Sequence, residues 1–287
     1  MVIIRFQGGI GNQLFQYALY KKLQYLGKEV WADTTIFRDE KEIRSFDLPK
    51  LGVNLREASM EMINSFYPIK KDFVSGVLRQ TIYRKKCIKE KEPYVFAPIF
   101  LNCDDAYLSG YWQTEKYFED IKEIIRDDIS FFSVKTPEVI DCLNRIQESN
   151  SISIHVRLGD YVNNSLYDNI CTEAYYKKAI QEMNKRIKNT SYFVFSDDVN
   201  KAREMLGEKG FEYINYNHGE NSYYDMYMIS QCKHHIMANS SFSWWGTWLS
   251  DFDDKKVICP SVWMKGVDKG DIWMKEWIKI TPQGDIV

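Results

Sequence analysis

At 287 residues the chain has the length of about two ordinary domains, and 45% hydrophobic with 15% aromatic residues supplies a core for each. With 38 basic against 40 acidic residues and a net charge of -2 there is no electrostatic footprint for nucleic acid, and no block of like charge forms a tail. The six cysteines stand far apart without a Cys-x-x-Cys pair, which argues against a zinc site or a disulfide framework and for reduced core thiols in a cytosolic protein.

The amino terminus starts directly on strand-like Val2-Ile3-Ile4, so a signal peptide is not expected, and no apolar run approaches the length of a membrane span. Residues 2–33 read as strand, glycine turn, helix, strand. The turn is Gly8-Gly9-Ile10-Gly11, and the helix, over 12–26, carries Leu14, Phe15, Ala18, Leu19, Leu23 and Leu26 as one apolar stripe, with Gly27 as its carboxyl-side cap. Glycines let a ligand approach backbone N–H groups at a helix start, where the dipole favours negative charge. Gly9, Gly11, Asn12 and Gln13 are therefore phosphate-binding candidates. The same turn begins a Gly-x-Gly-x-x-Gly dinucleotide fingerprint that Asp33 could complete, but Leu14 stands where the third glycine belongs.

From 34 to 134 the signals are mixed. Residues 57–66 are amphipathic, and the basic run at 84–86 reads as a solvated surface. Residues 106–113 (AYLSGYWQ) read as a strand ending in aromatics that could wall an acceptor site, with core packing the default for any one of them. The acidic pairs Asp104-Asp105 and 251–254 (DFDD) read as solvated turns and not as metal sites.

After Thr136-Pro137 strands and helices alternate. Strands are expected over 152–156, 192–195, 211–214, 235–238 and 257–259, and helices near 172–187, 199–206, 222–232 and 241–249, which predicts a parallel, doubly wound sheet. In 151–161 (SISIHVRLGDY), alternation turns Ile152, Ile154 and Val156 to one face and Ser153, His155 and Arg157 to the other, and Gly159 lets the chain turn. The cluster from His155 to Asp160 ends the first of these strands, Ser196-Asp197-Asp198 the second, and Asn239-Ser240-Ser241-Phe242-Ser243 the fourth. Ligands of open α/β sheets bind outside the carboxyl ends of strands, so three polar clusters reach one edge.

Each cluster suits part of a nucleotide diphosphate. The planar fork of Arg157 can pair with two phosphate oxygens, unless it merely closes an ion pair with Asp160. Ser240, Ser241 and Ser243 open a helix, where hydroxyls and backbone N–H groups can hold a phosphate or simply cap. Asp197 and Asp198 can accept from ribose hydroxyls or a guanine edge, with one of them expected to cap the next helix. Trp244, Trp245 and Trp248 follow at helical spacing and read as packing.

With these residues assembled, the chain resembles glycosyltransferase family 11, the α-1,2-fucosyltransferases, in its bacterial form. The matching stretches are GGIGNQLFQYA (8–18), SIHVRLGDYV (153–162), FVFSDD (193–198) and NSSFSWWGTWL (239–249), in that order across most of the chain. One departure is Leu158, which stands where the family commonly has a second arginine and leaves Arg157 as the sole phosphate ligand carried over. The resemblance implies an α/β fold of GT-B type, two facing Rossmann-like domains with mainly parallel sheets. Their expected limits are 1–135, on the acceptor side, and 136–287, binding GDP-fucose. It implies GDP-β-L-fucose as donor, a β-galactoside glycan as acceptor, and inversion without a bound metal or other cofactor.

The catalytic candidates are Arg157, His155 and Asp160, with Glu115 as a further candidate base. The donor-binding candidates are Gly9, Gly11, Asn12, Gln13, His155, Arg157, Asp197, Asp198, Asn239, Ser240, Ser241, Phe242 and Ser243. The implied setting is bacterial surface-glycan (O-antigen) synthesis in the cytoplasm, with the protein membrane-associated as a peripheral protein at the inner face and an acceptor that a lipid can carry. Two other classes stay open: an NAD-dependent oxidoreductase on the Gly9/Gly11 turn, and a non-catalytic glycan-binding protein using its 8 Trp and 19 Tyr.

Overall fold

The computed structural model describes residues 1–287 except 40, 43, 68–72, 82–85, 132–135, 162 and 268, and the side chains of 73, 78–80 and 160 also lie outside the described residues. The basic run at 84–86 falls mostly outside them. The chain forms two compact units, Met1–Phe132 with Lys269–Ile272 and Ser133–Asp268 with Trp273–Val287.

The first unit is a parallel sheet of β1 (Val2–Arg5), β2 (Val30–Asp33), β3 (Cys87–Lys89) and β4 (Ala106–Ser109) in the order β2-β1-β4-β3. Its helices are α1 (Ile10–Tyr25), α2 (Met60–Phe66), α3 (Phe73–Gln80), α4 (Ile99–Asn102) and α5 (Lys122–Asp128). The predicted stripe of α1 is its buried face, with Leu14, Phe15, Ala18, Leu19 and Leu23 all in the core, though Leu26 is exposed. The helix begins earlier than its stripe suggests, because extended Gly9 holds the cap position and lets Ile10 start the first turn. Asp33 lies inside the unit, where it accepts from the Tyr107 hydroxyl at 2.6 Å and from the N–H and hydroxyl of Thr35 at 2.9 and 2.6 Å. It is therefore not offered to a ribose, and the dinucleotide reading loses its acidic partner.

The second unit is a parallel sheet of β5 (Asn150–Val156), β6 (Thr190–Ser196), β7 (Phe211–Ile214), β8 (His234–Ile236), β9 (Val257–Pro260) and β10 (Ile278–Ile280), in the order β10-β9-β8-β5-β6-β7. Its helices are α6 (Pro137–Glu148), α7 (Glu173–Arg186), α8 (Val199–Leu206), α9 (Tyr223–Gln231) and α10 (Ser241–Trp248). Ile152, Ile154, Val156 and Val194 pack against Tyr175, Tyr176 and Met183 of α7 and Ala202 of α8. On the opposite face Phe193, Phe195 and Ile214 pack against Val139, Cys142 and Ile146 of α6 and against Tyr224, Met228 and Ile229 of α9. The unit is thus doubly wound, as the alternation predicts. The three tryptophans of α10 are interior, with Trp244 stacked on Trp248 at 6.1 Å, so they are packing and not sugar platforms. Among the described residues no helix is long and apolar enough to cross a membrane.

Candidate active site

In the second sheet the chain leaves β5 towards β6 and β7, then returns to the other side of β5 as β8. The carboxyl ends of β5 and β8 therefore flank the topological switch point, where open α/β sheets bind ligands. Arg157 follows β5 directly. One Nη of its guanidinium sits 2.8 Å from Asp197 Oδ2 in a largely covered ion pair, and the group lies 5.5 Å over the Tyr161 ring. The other Asp197 oxygen accepts the Leu158 N–H at 2.9 Å. Gly159 permits this approach, since a Cβ there would stand 2.4 Å from Asp197 Oδ2.

Arg157 thus closes an ion pair with Asp197, across the sheet from it. Asp197 thereby fixes the direction in which the guanidinium fork points. Asp197 is accordingly turned inward to the loop after β5, away from the ribose or guanine role considered for it. Asp198 caps α8, accepting from Lys201 N at 3.1 Å and pairing with its ammonium at 3.1 Å. The Asp160 side chain lies outside the described residues.

His155, at the end of β5, is only 5% exposed. Its ring lies 5.5 Å from that of Phe242, and no hydrogen bond reaches Nδ1 among the described residues. Burial first, and then the Arg157 charge, pushes its pKa down to about 4, so the imidazole is neutral at physiological pH. Across the switch point Ser240 caps α10 with extended backbone, and its hydroxyl accepts no capping bond among the described residues. Ser243 is buried and its hydroxyl accepts from Ala238 N at 3.2 Å, which ties the helix start to β8. Asn239 is likewise interior: its amide donates to Trp263 O at 3.1 Å and accepts from Cys171 Sγ at 3.5 Å, while its carbonyl takes the Tyr161 hydroxyl at 3.0 Å. Ser241 and Phe242 are half-buried at the first turn. The structure therefore gathers His155, Arg157, Asp197, Ser240, Ser241 and Phe242 at one corner. Tyr161, to which the sequence reading gave no role, braces Arg157 from below and stacks on Tyr167 at 4.9 Å.

Gly9, Gly11, Asn12 and Gln13 belong to the first unit. Gln13 donates to the carbonyls of Gly8 and Ser45, both at 2.8 Å, and accepts from Asp47 N at 2.9 Å; Asn12 accepts from Gln113 at 2.6 Å. These amides fasten loops at the carboxyl edge of the first sheet. Gly9 faces open space, where a Cβ would meet nothing within 4 Å. Of the aromatics in 106–113 only Tyr111 reaches the surface, whereas Tyr107 and Trp112 are interior. Beside it a cavity of about 1200 Å³ is lined by Lys89, Glu90, Phe96 and Phe100 among others. Among the described residues no three His, Cys, Asp or Glu side chains are grouped as metal ligands.

A parallel, doubly wound unit that carries a cation and a helix start at its switch point defines an α/β protein of the open-sheet class. The chain belongs to glycosyl transferase family 11, whose sequence profile it matches over residues 88–281. It is similar to the Alpha-1,2-colitosyltransferase of Escherichia coli, 30% identical over 98% of this chain and 99% of that protein. It is also similar to the O-antigen biosynthesis glycosyltransferase WbnK of Escherichia coli, 30% identical over 95% of this chain and 98% of that one. The Galactoside alpha-(1,2)-fucosyltransferase 1 of Saimiri boliviensis boliviensis is 23% identical over 60% of this chain and 52% of its own length. The chain is therefore a glycosyltransferase.

Proposed function

We propose that the chain transfers L-fucose from GDP-β-L-fucose to the 2-hydroxyl of a terminal β-galactose, with inversion, in the synthesis of a bacterial surface glycan. The observation that carries this reading is the meeting, at one switch point, of the Asp197-braced Arg157 and the amino end of α10. Both supply positive potential where a diphosphate departs. The α-1,2 linkage draws support from two relatives whose names carry it, and the surface-glycan setting from the O-antigen relative.

In the proposed reaction the bond between the anomeric carbon and the β-phosphate oxygen breaks, and GDP leaves with the bonding electrons. The acceptor's 2-oxygen bonds to the opposite face of that carbon and its proton passes to a base. Arg157 stabilises the charge growing on the phosphates. His155 fits donor binding better than proton transfer, because an imidazole with a pKa near 4 is a weak base at neutral pH. Asp160 and Glu115 remain as base candidates.

A second reading concerns only the donor sugar, and the colitosyltransferase likeness favours it. Colitose is 3-deoxy-L-fucose, so the two donors differ by one hydroxyl. The test supplies lactose with GDP-fucose or GDP-colitose and determines the product by NMR. An α-linked fucose on the galactose 2-oxygen is expected. A β linkage refutes inversion, another position refutes the acceptor assignment, and turnover with GDP-colitose alone moves the donor to the second reading.

A further inference from the structure

We infer that Asp225, in the first turn of α9, selects the nucleobase of the donor by accepting hydrogen bonds from the N1–H and 2-amino groups of guanine. This rests on the GDP-sugar reading above and adds the residue that reads the base. The two carboxylates expected for that task are otherwise engaged, Asp197 with Arg157 and the Leu158 N–H, and Asp198 with Lys201 and the α8 cap.

The topology brings Asp225 to the same edge. Residues 215–222 lead from the carboxyl end of β7 into α9, so the first turn of α9 stands at the carboxyl edge of the sheet, as the first turn of α10 does after β8. Both helices lie on the face to which His155 points. Tyr224, Met228 and Ile229 of α9 pack with Phe195 and Ile214, and Phe242 of α10 packs against the same cluster while lying on the His155 ring. Gly246 lets α10 approach so closely that a Cβ there would stand 2.6 Å from Ile229 Cγ2 and 3.5 Å from Met226 O.

Asp225 is prepared for a ligand. Buried Asn217 donates to its Oδ1 at 2.8 Å, and no hydrogen bond among the described residues reaches Oδ2. Burial pushes its carboxyl up to about 7 even though the Asn217 bond pulls the other way. A carboxylate so placed lacks donors, and guanine presents two adjacent N–H donors on one edge, a match for the two acceptor oxygens of one carboxylate. An acid in a first helical turn also favours the dipole. That role needs neither burial nor a buried asparagine holding one oxygen. On the same face and edge the interior Nδ1 of His155 also has no partner among the described residues, as expected where a polar ligand completes the site.

The test compares binding of GDP, inosine diphosphate and UDP to the full chain and to the isosteric variant Asp225→Asn, by titration calorimetry. Inosine diphosphate keeps N1–H but lacks the 2-amino group. The wild type is expected to prefer GDP over it by about tenfold or more, the worth of one charge-assisted hydrogen bond. Asp225→Asn turns an N–H₂ towards the base and is expected to bring GDP down to the level of inosine diphosphate, whose own retained binding reports an intact fold. A variant that keeps the wild-type preference for GDP overturns the inference and leaves the GDP-sugar reading standing, as does a wild type that binds both purine diphosphates equally. A wild type that binds no guanosine diphosphate overturns the reading and the inference together.

Discussion

At the scale of the residue, the central quantity in the proposed reaction is the charge that Arg157 would bring to a departing diphosphate. Its fork is aimed by Asp197, which also takes the Leu158 N–H, and by the ring of Tyr161. A hydrogen bond to a charged group contributes about 1.5 to 3 kcal/mol, so losing two in Arg157→Ala should lower kcat/KM at least about a hundredfold. Arg157→Lys should recover only part, because an ammonium is a point charge without the planar fork. Near-normal kinetics in a folded Arg157→Ala would leave Arg157 as one half of a structural ion pair. The sequence made the arginine legible, because a cation directly after an apolar run is visible in one dimension. It could not name Asp197. Asp160 is near in the chain, whereas Asp197 is near only because β5 and β6 lie side by side, and a missing Cβ at Gly159 lets its carboxylate in. Asp225 was invisible for the same reason, since its burial and its bond to Asn217 exist only in the packed unit.

At the scale of the element, the site depends on two helix starts held in step. Gly246 sits where α10 crosses α9, and an added methyl would meet Ile229 Cβ at 3.0 Å as well as its Cγ2 at 2.6 Å. A β-branched side chain in a packed core cannot swing away, so Gly246→Ala should cost about 1 to 3 kcal/mol through overpacking. At about 2 to 4 °C per kcal/mol for chains of this size class, the melting midpoint should fall by several degrees, with donor affinity falling alongside. An unchanged midpoint in thermal denaturation would mean that the interface yields, and that the glycine is not what sets the spacing. Elements with a sustained period were readable: α8 and β7 lie where the pattern puts them, and the other predicted elements of this unit shift by a residue or two. The short β3 and β10 were not, because three residues carry no period and neither falls within the regular strand–helix alternation that disclosed the equally short β8. Helix α6 was passed over despite its signals. Thr136 caps it by accepting from Val139 N at 3.4 Å, Pro137 opens it, and Val139, Cys142 and Ile146 form its buried stripe.

At the scale of the whole molecule, the connectivity of the parallel sheets sorts polar residues by edge, and that sorting bears on whether a divalent ion takes part. Segments that follow strands lie at the carboxyl edge, which holds Arg157, the start of α10 and the start of α9. Segments that precede strands lie at the amino edge. Asp104 and Asp105 precede β4, and Asp251, Asp253 and Asp254 precede β9, so each acidic group stands at the opposite edge of its sheet. Asp104 is further occupied by Lys28 at 2.7 Å. Among the described residues, the adjacent acidic pair at the carboxyl edge of the second sheet, Asp197 and Asp198, is divided between Arg157, a backbone N–H and Lys201. A Mg²⁺ ion asks for near-octahedral oxygen ligands at about 2.0 to 2.1 Å, and recruiting this pair would break the brace that aims Arg157. The positive potential for the leaving diphosphate then comes from the guanidinium and the helix start, neither of which a chelator removes. Transfer from GDP-fucose to lactose is therefore expected to proceed at an unchanged rate in excess EDTA, followed by release of GDP. A rate that collapses on chelation and returns with Mg²⁺ or Mn²⁺ would overturn this account, and would require Asp197 to leave Arg157 during turnover.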